Sequence, residues 1–482
     1  LPGKTMKAGL KVSLAGLPKE PVAYALAFLV PSLIRWFPQS MYPFPIGYDT
    51  PWYLYMTSHF NPLSYARTFE YILGLLASAG LDPFILMMYL PAVTHGLLGA
   101  ALFYFIRTHL HWTTGKSLFA ALLTTASSVA LRVSWDLHSQ SLGMVFFLLT
   151  LGSYESARRL RDYVVTSVLA IMTAASHQLL AVLLAALLIS QCLLKLYRRN
   201  GRTLELRNAF FLLLSGALVC AFLLLAVYRG DLAALLDRGF RSYLSPKHEL
   251  LSYEWYRLVD PYLSLYVLAY GLVFPVAVLG FFSDDLLTAW TIVAGVAALS
   301  IILWPYYCVN LPDRWSYLLY VPMYAYASNA ISTAWNGLAA IRVRPAVKSL
   351  AITCALLVPT VSMLNPAGPL SLLDRTYDMF PSRMSSSTVV SASVLSDAID
   401  AVHWLSDMTD RGVLFVPDYF LYWSAYSSDL EVRRFSGPTD AAVKRAMESG
   451  NDVYILWWGG AESLGFDPLF FSGPFRVYRA RG

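Results

Sequence analysis

"PFPIGYDTPWYLYM" (residues 43–56) places one acidic residue, Asp49, among prolines, tyrosines and a tryptophan, just after an apolar segment. Most of the next three hundred residues are apolar too. A carboxylate at the end of an apolar run is either a local helix device or part of a polar site at a membrane mouth. The local reading is concrete: Asp49 or Thr50 serves as an N-cap, and Pro51 takes the first helical position that proline favours. The other reading depends on topology.

The chain has 482 residues, of which 57% are hydrophobic and only 14% charged. Soluble domains carry about 25% charged residues, and the mean hydropathy here is +0.52. Apolar runs of roughly 15 to 23 residues recur, the length a bilayer core requires. The composition therefore describes an α-helical polytopic membrane protein and gives no reason to expect a nucleic-acid partner. Cys192, Cys220 and Cys354 fall inside apolar runs and Cys308 in a loop, so no disulfide framework is implied. The first apolar segment lacks a small-residue cleavage site and reads as an uncleaved anchor.

Eleven spans are expected, near residues 21–37, 83–106, 117–134, 141–157, 163–176, 179–194, 208–228, 261–282, 286–304, 315–335 and 348–364. The fifth and sixth are short and meet at "SHQ" (176–178), as a pair stopping inside the bilayer or as a re-entrant hairpin. Loops on the N-terminal side hold 17 basic residues and the opposite loops 9. The positive-inside rule then puts the N-terminus in the cytoplasm and the C-terminus outside. The loop "FSDDLL" (282–287), with no basic residue, runs against this assignment. Residues 1–364 form the expected membrane domain.

From 365 to 482 the chain carries 14 acidic and 10 basic residues, a net −4 that leaves +10 for the membrane part. Helical patterns such as "SVLSDAIDAVHWLSDM" (393–408) and "DAAVKRAMESG" (440–450) alternate with strand-like runs, "GVLFVPDYF" (412–420), "DVYILWW" (452–458) and "FRVYRA" (475–480). That alternation predicts a small external α/β domain.

On this topology Asp49 is external, and so is "RVSWDLHSQSLG" (132–143), with Asp136 and His138 between the third and fourth spans. Ionisable groups at a membrane mouth are costly unless paired or hydrated, so two acidic loops on one face point to a shared external site. A polar turn capping the fourth span is the plainer reading of the second loop. The long loop at 229–260 adds Lys247 and Arg257 among aromatics, either as a lid over that site or as an interfacial helix in the headgroup layer. His177 in "SHQ" lines the same cavity or simply forms a polar turn.

"GYDTPWYL" (47–54) and "WDLHSQSLG" (135–143), on this topology and with an external C-terminal domain, resemble the GT-C glycosyltransferases, polytopic enzymes that take sugars from polyprenyl-phosphate carriers. The plan is similar to that of protein O-mannosyltransferases and aminoarabinose transferases. The resemblance implies that Asp49 is the first-loop catalytic carboxylate and that Asp136 is the second-loop acidic residue, which in some branches helps hold a divalent cation (Mg or Mn). It also implies that Arg314 in "LPDRWSYLLYVP" (311–322) meets the carrier phosphate, with His138, Lys247 and Arg257 as further substrate-side groups. Two departures stand out. The paired acidic motif is reduced to Asp49 alone, and "WWGGAESLG" (457–465) lacks the aspartate and tyrosine of the oligosaccharyltransferase signature.

The chemistry agrees. An acceptor hydroxyl needs one carboxylate as general base, and a leaving phosphate needs charge stabilisation that a bidentate arginine supplies. With no protein nucleophile the displacement is direct and inverts the anomeric carbon. The expected protein is therefore a multi-pass plasma-membrane enzyme whose active site faces outward. It would take a polyprenyl-phosphate-linked sugar among membrane lipids and deliver it to a hydroxyl acceptor. A non-catalytic GT-C-like subunit keeps the topology but can dispense with Asp49 and Arg314. A secondary transporter would show internal repeats and ionisable residues at mid-bilayer.

Overall fold

The computed structural model describes residues 19–198, 266–339 and 392–480, apart from 304–311 and a few shorter stretches. The expected spans at 208–228 and 348–364, the boundary at 364/365, and Lys247 and Arg257 lie outside the described residues.

The first helix, α1 (Lys19–Gln39), is built for lipid. Its buried residues, Ala23, Ala27, Pro31, Arg35 and Gln39, recur every fourth position and so form one stripe. Leu26, Leu29, Leu33, Trp36 and Phe37 are exposed on the rest of the surface. Small residues thus face the protein and large apolar ones face outward, the reverse of a soluble amphipathic helix. The small stripe lets α4 (Pro83–His109) approach closely: a Cβ on Gly99 would collide with the Ala27 carbonyl. Between them run α2 (Thr50–Ser58) and α3 (Thr68–Ser78), both in the segment expected as the first external loop.

Both α1 and α4 are long and apolar enough to cross a membrane. The expected third span is two helices, α5 (Thr114–Thr125) and α6 (Ser128–Asp136), which together qualify as one span bent by 58°. Ser127 causes the break, since its hydroxyl accepts from Ala130 N at 3.1 Å and caps α6. Next come α7 (His138–Ser156), α8 (Leu160–Ser176) and α9 (Gln178–Arg198). The chain does break at "SHQ": His177 is extended, with φ −158° and ψ 121°. The later described helices are α10 (Val273–Leu279), α11 (Asp285–Leu303), α12 (Pro312–Tyr317) and α13 (Tyr320–Ala339). The acidic "FSDDLL" has a local explanation. Asp284 accepts from Leu287 N at 2.9 Å at the start of α11 and meets His109 Nε2 at 3.2 Å.

The C-terminal residues form the expected sheet, of order β2-β1-β3-β5-β4. Its strands are β1 (Val413–Val416), β2 (Glu431–Arg434), β3 (Val453–Trp458), β4 (Asp467–Ser472) and β5 (Phe475–Ala480). The pairs β1–β2 and β1–β3 are parallel, whereas β3–β5 and β4–β5 are antiparallel. The sequence reading missed β2, whose surface is mostly exposed, and β4.

Alternation gives the sheet two apolar faces. Val413, Phe415, Val453 and Ile455 pack with Val443 and Ala446 of α16 (Ala441–Glu448). Leu414, Val416, Leu456, Phe475 and Val477 face α14 (Ala392–Met408) and α15 (Leu421–Ser427). That second core continues into Phe44, Tyr53, Leu54, Phe69, Leu73 and Met87. The sheet domain and the loop carrying Asp49 are therefore one packed body.

The Phe44 ring meets Trp423 of α15 edge-on at 6.3 Å, and Trp52 meets Tyr422 at 4.9 Å. Truncating a buried aromatic costs about 3–5 kcal/mol. Trp423→Ala is expected to loosen this dock, read as faster hydrogen exchange in residues 43–56 and across the sheet domain together. Exchange accelerated in the sheet domain alone would show that the loop is held independently.

Candidate active site

The site begins with how residues 40–49 are held. Gln39 Nε2, at the end of α1, donates to the Phe44 carbonyl at 2.8 Å. Gly47 then adopts φ +132°, and a Cβ there would strike the Trp135 carbonyl and crowd the Thr50 hydroxyl. Only glycine combines that backbone angle with that approach. The loop is pressed onto the end of α6, one residue before Asp136.

Asp49 occupies the N-cap position of α2, with Pro51 in the first turn as expected, but its side chain makes no capping hydrogen bond. The carboxylate is half-buried and available. Burial first, then the charge of Asp136, push its pKa up from 3.8 to about 6, against the pull of Arg314, Arg67 and Arg132. Asp49, Asp136 and Arg314, expected from the sequence to act together, therefore share one electrostatic neighbourhood.

Asp136 closes α6 and is buried, with Arg132 Nε at 2.9 Å from its Oδ2, one turn back on the same helix. Behind it lies Arg35, a fully buried guanidinium on the inward stripe of α1. Arg35 Nε donates to the Ser134 carbonyl at 3.4 Å, and its Cζ stacks 3.6 Å over the Trp135 ring. Arg35 Nη1 and Nη2 have no hydrogen-bond partner among the described residues. Arg67 opens α3, where its backbone N–H donates to Glu70 at 3.1 Å. Sequence reasoning had counted Arg35, Arg67 and Arg132 only as basic loop residues. The signal for Arg35 was present: a lone arginine in register with Ala23, Ala27 and Pro31.

His138, the first residue of α7, is placed differently from the polar mouth expected of it. It is buried, stacked on Phe69 at 5.1 Å and tilted against Tyr53 at 5.2 Å. Tyr53 and Ser139 join hydroxyls at 3.0 Å beside it. This histidine packs the base of α2 and α3 onto α7. His177 lies within electrostatic reach of both Arg314 and Arg67, and His138 of Arg35, so the α8–α9 break opens toward the same region.

Among the described residues no group of three or more His, Cys, Asp or Glu side chains is arranged to hold a metal by itself, and Asp136 already faces Arg132. What converges is one available carboxylate, one ion-paired carboxylate and several guanidiniums. Such a set can accept a proton and hold an anion.

Three solved structures resemble the whole arrangement. An arabinofuranosyltransferase, AftD from Mycobacteria, matches with TM-score 0.53 and 14% identity over 97% of this chain. The archaeal oligosaccharyltransferase AglB from Archaeoglobus fulgidus, bound to an inhibitory peptide and a dolichol-phosphate, matches with TM-score 0.53 and 13% identity over 90%. The chain has the GT-C fold. An Archaeoglobus fulgidus oligosaccharyltransferase in complex with Zn and sulfate matches the same GT-C body with TM-score 0.52 and 14% identity over 89%. The chain spans 40% of the length of AftD and 69% and 67% of the two oligosaccharyltransferase chains. No protein-family model matches the sequence, and neither does any curated protein.

The proton affinity of Asp49 is directly measurable. Infrared titration, wild type minus Asp49→Asn, should show one carboxyl band lost as pH rises through about 6. Removing the neighbouring charge with Asp136→Asn should move that midpoint down, since burial alone then opposes ionisation. A midpoint near 4 in the wild type would place Asp49 in open solvent, away from Asp136.

Proposed function

We propose that the protein is a membrane glycosyltransferase that moves a sugar from a polyprenyl-phosphate carrier to a hydroxyl acceptor on the external face, with inversion. The observation that carries this reading is Asp49: it heads a helix without capping it and shares its electrostatic surroundings with Arg314. The GT-C fold supports the class of reaction, and the dolichol-phosphate bound to one relative supports the class of donor. The excess of basic residues on the N-terminal side supports an N-in, multi-pass arrangement that puts Asp49, Asp136 and the sheet domain outside.

In this mechanism Asp49 takes the proton of the acceptor hydroxyl as its oxygen bonds to the anomeric carbon. The bond from that carbon to the phosphate oxygen breaks, and the carrier leaves as polyprenyl phosphate. A pKa of about 6 leaves Asp49 mostly ionised at neutral pH yet more basic than an ordinary carboxylate. Arg314, half-buried on α12, holds the phosphate as its charge grows. Asp136 keeps a second negative charge beside the base and sustains that basicity.

Asp49→Asn should lower transfer about 10²- to 10⁴-fold, the usual loss with a general base, while donor binding and folding are kept. Since the side chain makes no cap bond, the amide removes little else. Activity within a few-fold of wild type would move the base elsewhere.

Arg314→Lys retains charge but loses the planar fork that grips two phosphate oxygens. Transfer rate against carrier concentration should fall well below wild type for lysine, and further for Arg314→Ala. Equal rates for all three would send the phosphate to Lys247 or Arg257.

A further inference from the structure

The described charges around Asp49 include more guanidiniums than carboxylates. Three carboxylates, Asp49, Asp136 and Glu70, face four guanidiniums, Arg35, Arg67, Arg132 and Arg314. Among these described side chains guanidiniums outnumber carboxylates four to three, which favours an approaching phosphate anion. Each carboxylate except Asp49 is also engaged. Glu70 accepts from the Arg67 backbone and the Trp52 indole, and Asp136 is paired with Arg132 at 2.9 Å.

Arg35 is the telling member. A guanidinium on the inward stripe of a spanning helix, fully buried, needs a counter-ion, because an isolated buried charge is strongly penalised. Asp136 is the carboxylate that acts on it. The helix geometry fixes the arrangement. Arg35 stacks on Trp135 and donates to Ser134, so it grips the last turn of α6 from behind while Arg132 grips the same turn from one turn back.

We propose that Arg132, ion-paired with Asp136, and Arg35, gripping the same turn of α6 from behind, are the resident cations of this site and occupy Asp136 in place of a divalent metal. Both are positioning residues. They fix the direction of Asp136 and contribute to the positive field that receives the donor phosphate. A second consequence concerns the α1–α6 contact: the bundle and the site are tied by the same guanidinium. The kinetic part of this inference rests on the transferase reading, whereas the metal-binding part does not.

The test uses the full chain in lipid nanodiscs, with Mn²⁺ as the probe followed by the loss of its free electron paramagnetic resonance signal. Wild type should take up no stoichiometric Mn²⁺ at micromolar concentration, and Arg132→Gln, by releasing Asp136, should gain a site. Transfer by wild type should survive treatment with EDTA. Arg35→Gln should raise KM for the polyprenyl-phosphate sugar about tenfold or more, with kcat changed less, and Arg35→Lys should fall between. One Mn²⁺ bound per wild-type chain would overturn the proposal, even if every variant failed to fold. So would an Arg132→Gln protein that folds yet gains no site. Absence of transfer from any polyprenyl-phosphate sugar, alongside unchanged Mn²⁺ results, would count against the transferase reading and leave the resident cation standing.

Discussion

The pairing of Asp136 with Arg132, backed by the buried Arg35, is the constraint on which the rest of the site depends. Arg35 fixes the last turn of α6 against α1, and on that turn the Trp135 carbonyl forms the floor beneath Gly47. With that floor in place, the following residues can only deliver Asp49 to the neighbourhood of Asp136. The repulsion between the two carboxylates, together with burial, then makes Asp49 a stronger base than a solvated aspartate. The last turn of α6 thus links helix packing, loop conformation and proton affinity.

A second consequence follows from where the loop is held on its other side. Phe44 and Tyr53 belong to the same apolar core as Leu414, Val416 and Phe475 of the sheet domain. The sheet domain is therefore packed against the segment that carries Asp49. The aromatic residues that make the opening stretch look interfacial, Trp52 and Tyr55, meet Tyr422 from α15. Such a packed junction ties the position of the Asp49 loop to that of the sheet domain.

Much of this was legible locally. The period-four stripe of α1, the break at His177, the strands β1, β3 and β5, and the acidic pair Asp49 and Asp136 each follow from short-range pattern. What escaped was β2, whose mostly exposed Glu431–Arg434 carries no apolar alternation, and the bend between α5 and α6, where Ser127 caps a helix inside an apolar run. The burial of His138 was hidden for a different reason. A histidine beside an aspartate looks polar in sequence, but the rings of Phe69 and Tyr53 that enclose it come from a separate segment.

The sequence by itself determined the class of molecule: a lipid-facing helical body followed by an α/β segment, because hydropathy and periodicity are properties of neighbouring residues. It also determined that Asp49 heads a helix, because Pro51 sets the backbone there. Only the tertiary structure decided what Asp49 is free to do. Its side chain makes no capping bond, and the charges that tune it arrive from the start of α3, from α6 and from α12, from positions 67 to 314 along the chain. Electrostatic coupling depends on distance through space, and no spacing along a sequence fixes that distance until the helices have packed.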